Sequence, residues 1–191
     1  MSLKTITIGV LGLQGSFARH IAMLDKLGVQ TIQIRYPSEI DDCDGLILPG
    51  GESTTISKIL DEMKLRERIQ KYNRPMFGTC AGAILLSNNS DDPLVQTLNR
   101  VPINTQRNAY GRQVESFIAS VDLSFDKKPF NAVFIRAPKL LQPGKEVTVL
   151  GTINGEIVFV QYENILLSTF HPELTDDPRI HSYFIKQLLR K

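Results

Sequence analysis

Apolar positions in the first half of the chain switch repeatedly between two periods. "TITIGVL" (Thr5 to Leu11) is an almost continuous β-branched and aliphatic run bounded by Gly12 and Gly15, which predicts a buried first strand. From Phe17 to Leu27 the apolar residues fall at Phe17, Ile21, Leu24 and Leu27, a helical spacing that stops at Gly28. "VQTIQIRY" (Val29 to Tyr36) and "DGLILPGG" (Asp44 to Gly51) predict two more strands, the second with the unbroken apolar middle of a sheet covered on both faces. A helical pattern then runs from Ser53 to Tyr72, opening on capping residues and breaking near Lys64. Met76 to Thr79 is a short strand, followed by a helix from about Ala81. Four alternations of strand and helix predict a parallel sheet with helices on both faces.

The second half reads differently. Strand-like segments run from Gln113 to Leu123, Asn131 to Pro138, Glu146 to Ile153, Glu156 to Tyr162 and Ile165 to Phe170, and Asp177 to Lys191 closes the chain as a helix. Asn154-Gly155 between two of them is a hairpin signal. The expected fold class is therefore α/β, a mostly parallel sheet with an antiparallel flank.

Composition narrows the class without changing the fold. The 191 residues suffice for one core, and with no linker, charge run or internal repeat the expectation is a single domain over 1–191. A formal net charge of +2, spread along the chain, argues against nucleic acid as a partner. No apolar run approaches the roughly 18 residues of a membrane helix, and the N-terminal apolar stretch lacks a signal-peptide cleavage pattern. Cys43 and Cys80 are the only cysteines, too few for a disulfide framework, so a soluble protein in a reducing cytoplasm is expected.

Ligands of a doubly wound sheet collect outside the carboxyl ends of its strands. Three such loops carry unusual residues: Gly50-Gly51-Glu52-Ser53, Gly78-Thr79-Cys80-Ala81-Gly82 and His171-Pro172-Glu173. The second places a cysteine between glycines where a strand turns into a helix, the arrangement that presents a nucleophile on a sharp elbow. A helix N-terminus at that point favours thiolate over thiol. Of three histidines, His20 and His181 fall on helices and are expected to be solvated, which leaves His171 as acid/base. Glu173, two positions on, is suited to fix its tautomer. The glycine pair and Ala81 offer backbone N–H groups for an oxyanion, with Gly51 and Ala81 the expected donors. Gly9, Gly12 and Gly15 do not match a nucleotide-binding fingerprint. No metal site is expected.

"GVLGLQG", "GLILPGGESTT", "PMFGTCAG", "RNAYGRQ", "FIRAP" and "STFHPELTDD", in this order across nearly the whole chain, resemble the glutaminase-subunit family of pyridoxal 5′-phosphate synthase, within the class I (triad) glutamine amidotransferases. The resemblance implies a flavodoxin-like fold, with Cys80 as nucleophile, His171 as acid/base and Glu173 as its orienting carboxylate. It also implies that Gly51, Glu52, Ser53, Arg107, Ile135 and Arg136 shape a glutamine pocket, in which an arginine suits the α-carboxylate and Glu52 the α-ammonium. The implied reaction is glutamine hydrolysis through a thioester, with ammonia passed to a (β/α)₈-barrel synthase subunit; pyridoxal phosphate would be the product of the complex, and no cofactor of this chain is implied. The stretch Ser87 to Arg107 departs from the family, lacking a glycine after its Pro-x-Leu element and carrying Gln106 where an acidic residue is common. Rival readings are the glutaminase subunit of imidazole glycerol phosphate synthase, a cysteine hydrolase or peptidase, and a non-catalytic regulatory subunit. "GGESTT" and "FIRAP" weigh against the first, and the intact triad against the last.

Overall fold

A computed structural model describes residues 6–107, 109 and 116–188. Five strands form the parallel part of a sheet: β1 (Thr7–Leu11), β2 (Gln30–Ile34), β3 (Gly45–Leu48), β4 (Met76–Thr79) and, far along the chain, β12 (Ile165–Ser168). Between the first four lie α1 (Phe17–Lys26), α2 (Ser53–Glu62) and α3 (Arg66–Gln70), and α4 (Ala81–Leu86) follows β4. The spatial order is β2-β1-β3-β4-β12, the 2-1-3-4-5 order of flavodoxin-like sheets. The break expected near Lys64 separates α2 from α3, and Lys64 adopts φ 57°, which no helix interior accommodates.

The antiparallel flank continues the same sheet. β7 (Ser116–Leu123), β8 (Asp126–Ile135), β10 (Thr148–Ile153) and β11 (Glu156–Tyr162) extend it in the order β12-β11-β10-β7-β8. Asn154 and Gly155, both at positive φ, turn β10 into β11 as their sequence predicts. A separate three-stranded sheet of β5 (Ser87–Ser90), β6 (Val101–Gln106) and β9 (Lys139–Leu141) was not expected. Its segments "SNNS", "VPINTQ" and "KLL" are too short or too polar to show a period of two. The helix α5 (Arg179–Leu188) closes the chain. Apart from Arg107 and Ala109, the "RNAYGRQ" motif lies outside the described residues, as do the first residues of two expected strands (Thr5, and Gln113 to Glu115) and the end of the last helix.

Successive side chains of a strand point to opposite faces, so β3 feeds two cores. Leu46 and Leu48 join Ile56, Leu60, Leu85 and Leu86 from α2 and α4 on one face. Ile47 joins Phe77, Phe159, Phe170, Leu24 of α1 and Ile180 and Phe184 of α5 on the other. Phe77, Phe159, Phe170 and Phe184 are fully buried, each contributing on the order of 2–3 kcal/mol by leaving water. With both faces covered, the free ends of the parallel strands are where loops meet solvent. Among the described residues no helix is long and apolar enough to cross a membrane.

Candidate active site

The elbow after β4 has the geometry its sequence predicts. Cys80 sits at φ 49°, ψ −104°, a conformation disfavoured for any residue with a side chain, and its N–H is held by the Ser168 carbonyl at 2.8 Å. The flanking glycines are required by close approach. A Cβ on Gly78 would lie 2.6 Å from the Gly82 carbonyl oxygen, and one on Gly82 would overlap the Leu48 carbonyl. The elbow therefore packs backbone against backbone, and Cys80, 7% exposed, is presented at the mouth of β4. Its Sγ lies 3.7 Å from the Ile135 carbonyl.

His171 follows β12, the neighbour of β4, so its ring reaches the same point from an adjacent strand end. The ring comes up beside the Cys80 side chain, the two facing the same point above Gly50, and its Nδ1 lies 2.7 Å from Glu173 Oε1. Burial alone would push the His171 pKa down; the neighbouring Cys80 and the bonded Glu173 outweigh it and raise the value to about 10. Glu173 is 4% exposed, and burial by itself would raise its pKa. The opposing pull of His20, His171 and the Ser16 hydroxyl, which donates to Oε1 at 2.6 Å, holds it near 2. The result is a carboxylate fixed against one ring nitrogen and a sulfur against the same ring.

Cys80 and His171 border an open pocket of about 720 Å³, with Glu173 behind the ring. Gly51, Glu52, Ser53, Arg107, Ile135, Arg136 and Ala81 all line it, so every residue expected at the site is brought to one place. Ser53 Oγ is buried there without a hydrogen-bond partner. Gly50 accepts from the Ser16 N–H at 3.1 Å, which in a trans peptide turns the Gly51 N–H the opposite way. Ala81 opens α4, so its N–H has no partner within that helix.

Two details differ from expectation. Glu52 and Arg107 pair with each other, Nη2 to Oε1 at 2.8 Å, and Arg107 also bonds Asp92. Glu52 further caps α2 through the Thr54 and Thr55 N–H groups and the Thr54 hydroxyl. Burial would raise its pKa, but these bonds bring it down to about 2. Second, His20 and His181 are not solvated: both are 0% exposed. His20 lies three residues after Phe17 and four before Leu24, on the apolar stripe of α1, and that spacing is the signal that places it inside. The loop after β1 was also missed. Gln14, Gly15 and Ser16 line the pocket, and the rule that ligands gather at strand carboxyl ends applies to β1 as much as to its neighbours.

Comparison with known proteins identifies the family. Residues 10–190 match the model of the SNO glutamine amidotransferase family. The chain is 49% identical, over 95% of its length and 98% of the relative's, to the pyridoxal 5′-phosphate synthase subunit PdxT of Thermotoga petrophila. It is 46% identical to the PdxT subunit of Carboxydothermus hydrogenoformans, covering 96% of this chain and 98% of that one. Among solved structures it is similar to a glutamine amidotransferase with a TM-score of 0.90 and 39% identity, over 95% of this chain and 98% of the other. A Thermotoga maritima glutamine amidotransferase, 14% identical over 98% and 97% of the two chains with a TM-score of 0.62, shares the fold.

Proposed function

Because the chain belongs to the SNO glutamine amidotransferase family, we propose that Cys80, His171 and Glu173 are its catalytic triad within one glutaminase domain spanning 1–191. The chain is a glutaminase subunit that supplies ammonia for pyridoxal 5′-phosphate synthesis. The observation that carries the triad is the single His171 ring, bonded through Nδ1 to Glu173 and lying beside Cys80 at the wall of the pocket.

In the first step Cys80 Sγ bonds to the γ-carboxamide carbon of glutamine, and the carbonyl electrons move to oxygen. The N–H groups of Gly51 and Ala81 hold that oxyanion. His171 then donates its proton to the amide nitrogen, the C–N bond breaks, ammonia leaves and a thioester remains. The raised pKa of His171 suits it to carry that proton. Neutral His171 next takes a proton from water, hydroxide attacks the thioester, and the C–S bond breaks to release glutamate and restore the Cys80–His171 pair. Glu173 keeps the ring oriented throughout and stabilises its charged form.

The Glu52–Arg107 pair is a fixed dipole beside the nucleophile. A free amino acid is a dipole of the same span, so its α-ammonium lies toward Glu52 and its α-carboxylate toward Arg107. The buried, unpartnered Ser53 hydroxyl, with Ile135 and Arg136, completes the pocket. Ammonia protonates in bulk water, so its delivery calls for a synthase subunit, of (β/α)₈-barrel form, seated over the open side of the pocket. Two free cysteines fit work in the cytoplasm. Glutaminase assays with a synthase subunit present test the triad: Cys80→Ala abolishes ammonia release while the protein stays folded. Retained activity in that variant overturns the assignment.

A further inference from the structure

Behind the triad lies a second cluster that the reaction above leaves unused. His20 Nε2 is 3.2 Å from Thr79 Oγ1 and 3.3 Å from Glu173 Oε2, while its Nδ1 is 2.9 Å from His181 Nε2. The ring points more nearly at the threonine, and Glu173 Oε2 has no well-formed hydrogen bond of its own. Thr79 Oγ1 in turn accepts the Gly50 N–H at 3.1 Å. Resting on the triad reading, we propose that His20, braced by His181, is a positioning residue for the reaction. It ties Glu173 to Thr79, and through them sets both the His171 ring and the glycine loop beside the oxyanion site.

The protonation pattern follows from the acceptors. A carboxylate only accepts, so a bare Nε2 at 3.3 Å from Glu173 would set a lone pair against negative charge. His20 therefore carries its proton on Nε2 and accepts at Nδ1 from the Nε2–H of His181. That leaves His181 Nδ1 as a bare acceptor, and it is indeed buried without a partner. Every group facing His20 fits this arrangement: Glu173 and His171 by charge, Thr79 and His181 by hydrogen bond, and Phe77 edge-on at 6.3 Å. Burial favours the neutral form of both rings. Stability alone does not account for two imidazoles in an apolar core with one nitrogen unpartnered, because apolar side chains would fill the space without that penalty. Locally unfavourable choices of this kind concentrate at functional sites.

The test compares His20→Leu, which removes the ring N–H, with His20→Gln, whose amide nitrogen stands the same number of bonds from the backbone as Nε2. Both are assayed with the synthase subunit present, alongside Cys80→Ala. His20→Leu is expected to lower kcat by about 10-fold or more, from loss of the hydrogen bond to Thr79 together with the contact of the same N–H with the Glu173 carboxylate, with KM for glutamine unchanged, and His20→Gln to recover most of it. Nitrogen-15 spectra of the three histidines in the unaltered protein should show His20 neutral with its proton on Nε2. Unchanged kcat in His20→Leu, no recovery in His20→Gln, or a bare His20 Nε2 overturns the proposal. Should His20→Leu not fold, the spectrum of the unaltered protein decides alone. Activity surviving in Cys80→Ala would instead refute the triad reading, so the two failures are distinct.

Discussion

Replacing Gly50 with alanine adds one carbon at the point where nucleophile and base converge. That carbon would overlap His171 Cε1 and lie 3.1 Å from Nδ1 and 3.2 Å from Cys80 Cβ. Its conflict is with side chains of the site, and the backbone at Gly50 has no positive φ to forbid alanine. To regain van der Waals distance the His171 ring must retreat by on the order of 1 Å. The ring is held at 2.7 Å by Glu173, so the retreat lengthens that bond, moves the ring away from Cys80, or both. A misplacement of about 1 Å is worth roughly 100-fold in rate, or about 2.7 kcal/mol of transition-state stabilisation. The fold should lose no more than the ~1–3 kcal/mol typical of overpacking. Ammonia release measured with a synthase subunit present, with a thermal melt as control, should show kcat/KM down about 100-fold in a cooperatively folded protein. Wild-type kcat/KM in Gly50→Ala would show that His171 does not act from the observed position, and the reasoning would fail.

Three further outcomes follow from the same geometry. Glu173→Gln keeps the shape of the side chain but can no longer enforce the ring tautomer, so kcat should fall roughly 10²–10⁴-fold with little change in KM; steady-state kinetics check this. Gly82→Ala should yield no soluble folded protein, because the added carbon overlaps the Leu48 backbone carbonyl, which no side-chain shift relieves. Stability should fall on the acid side: burial depresses the His181 pKa from 6.5 to about 3, so the unfolded chain binds the extra proton between those values. That contribution is present above pH 6.5 and lost as the pH falls toward 3, with Glu173 adding a similar loss from 4.5 toward 2. His171 works in the opposite sense, its contribution present below 6.5 and lost as the pH rises through about 10. Urea midpoints across pH should therefore peak near neutrality, and His181→Leu should flatten the acid limb.

The parallel half of the fold was legible because its strands are buried on both faces and its helices carry clear apolar stripes. The elbow was legible because only small residues at positions 78 and 82 allow the turn, and that requirement is written in residue type. The β5-β6-β9 sheet escaped because pairing there depends on neighbours distant in the chain rather than on local pattern. His20 and His181 were misplaced for a different reason. Their polar residue type suggests the surface, whereas their positions lie inward: His20 shares a face with Phe17 and Leu24, and His181 adjoins Ile180 and precedes Phe184 by three. The pairing of Glu52 with Arg107 joins residues 55 positions apart and could be seen only in three dimensions.

Hydrolysis by this route requires the sulfur of Cys80 to become covalently bonded to the substrate carbon. Rapid acid quenching of the complex during turnover of glutamine, followed by mass analysis of its peptides, tests that requirement directly. A glutamyl adduct on the peptide containing Cys80, absent in Cys80→Ala, is the predicted result. Turnover with no adduct on that peptide, or an adduct on Cys43 instead, would contradict it.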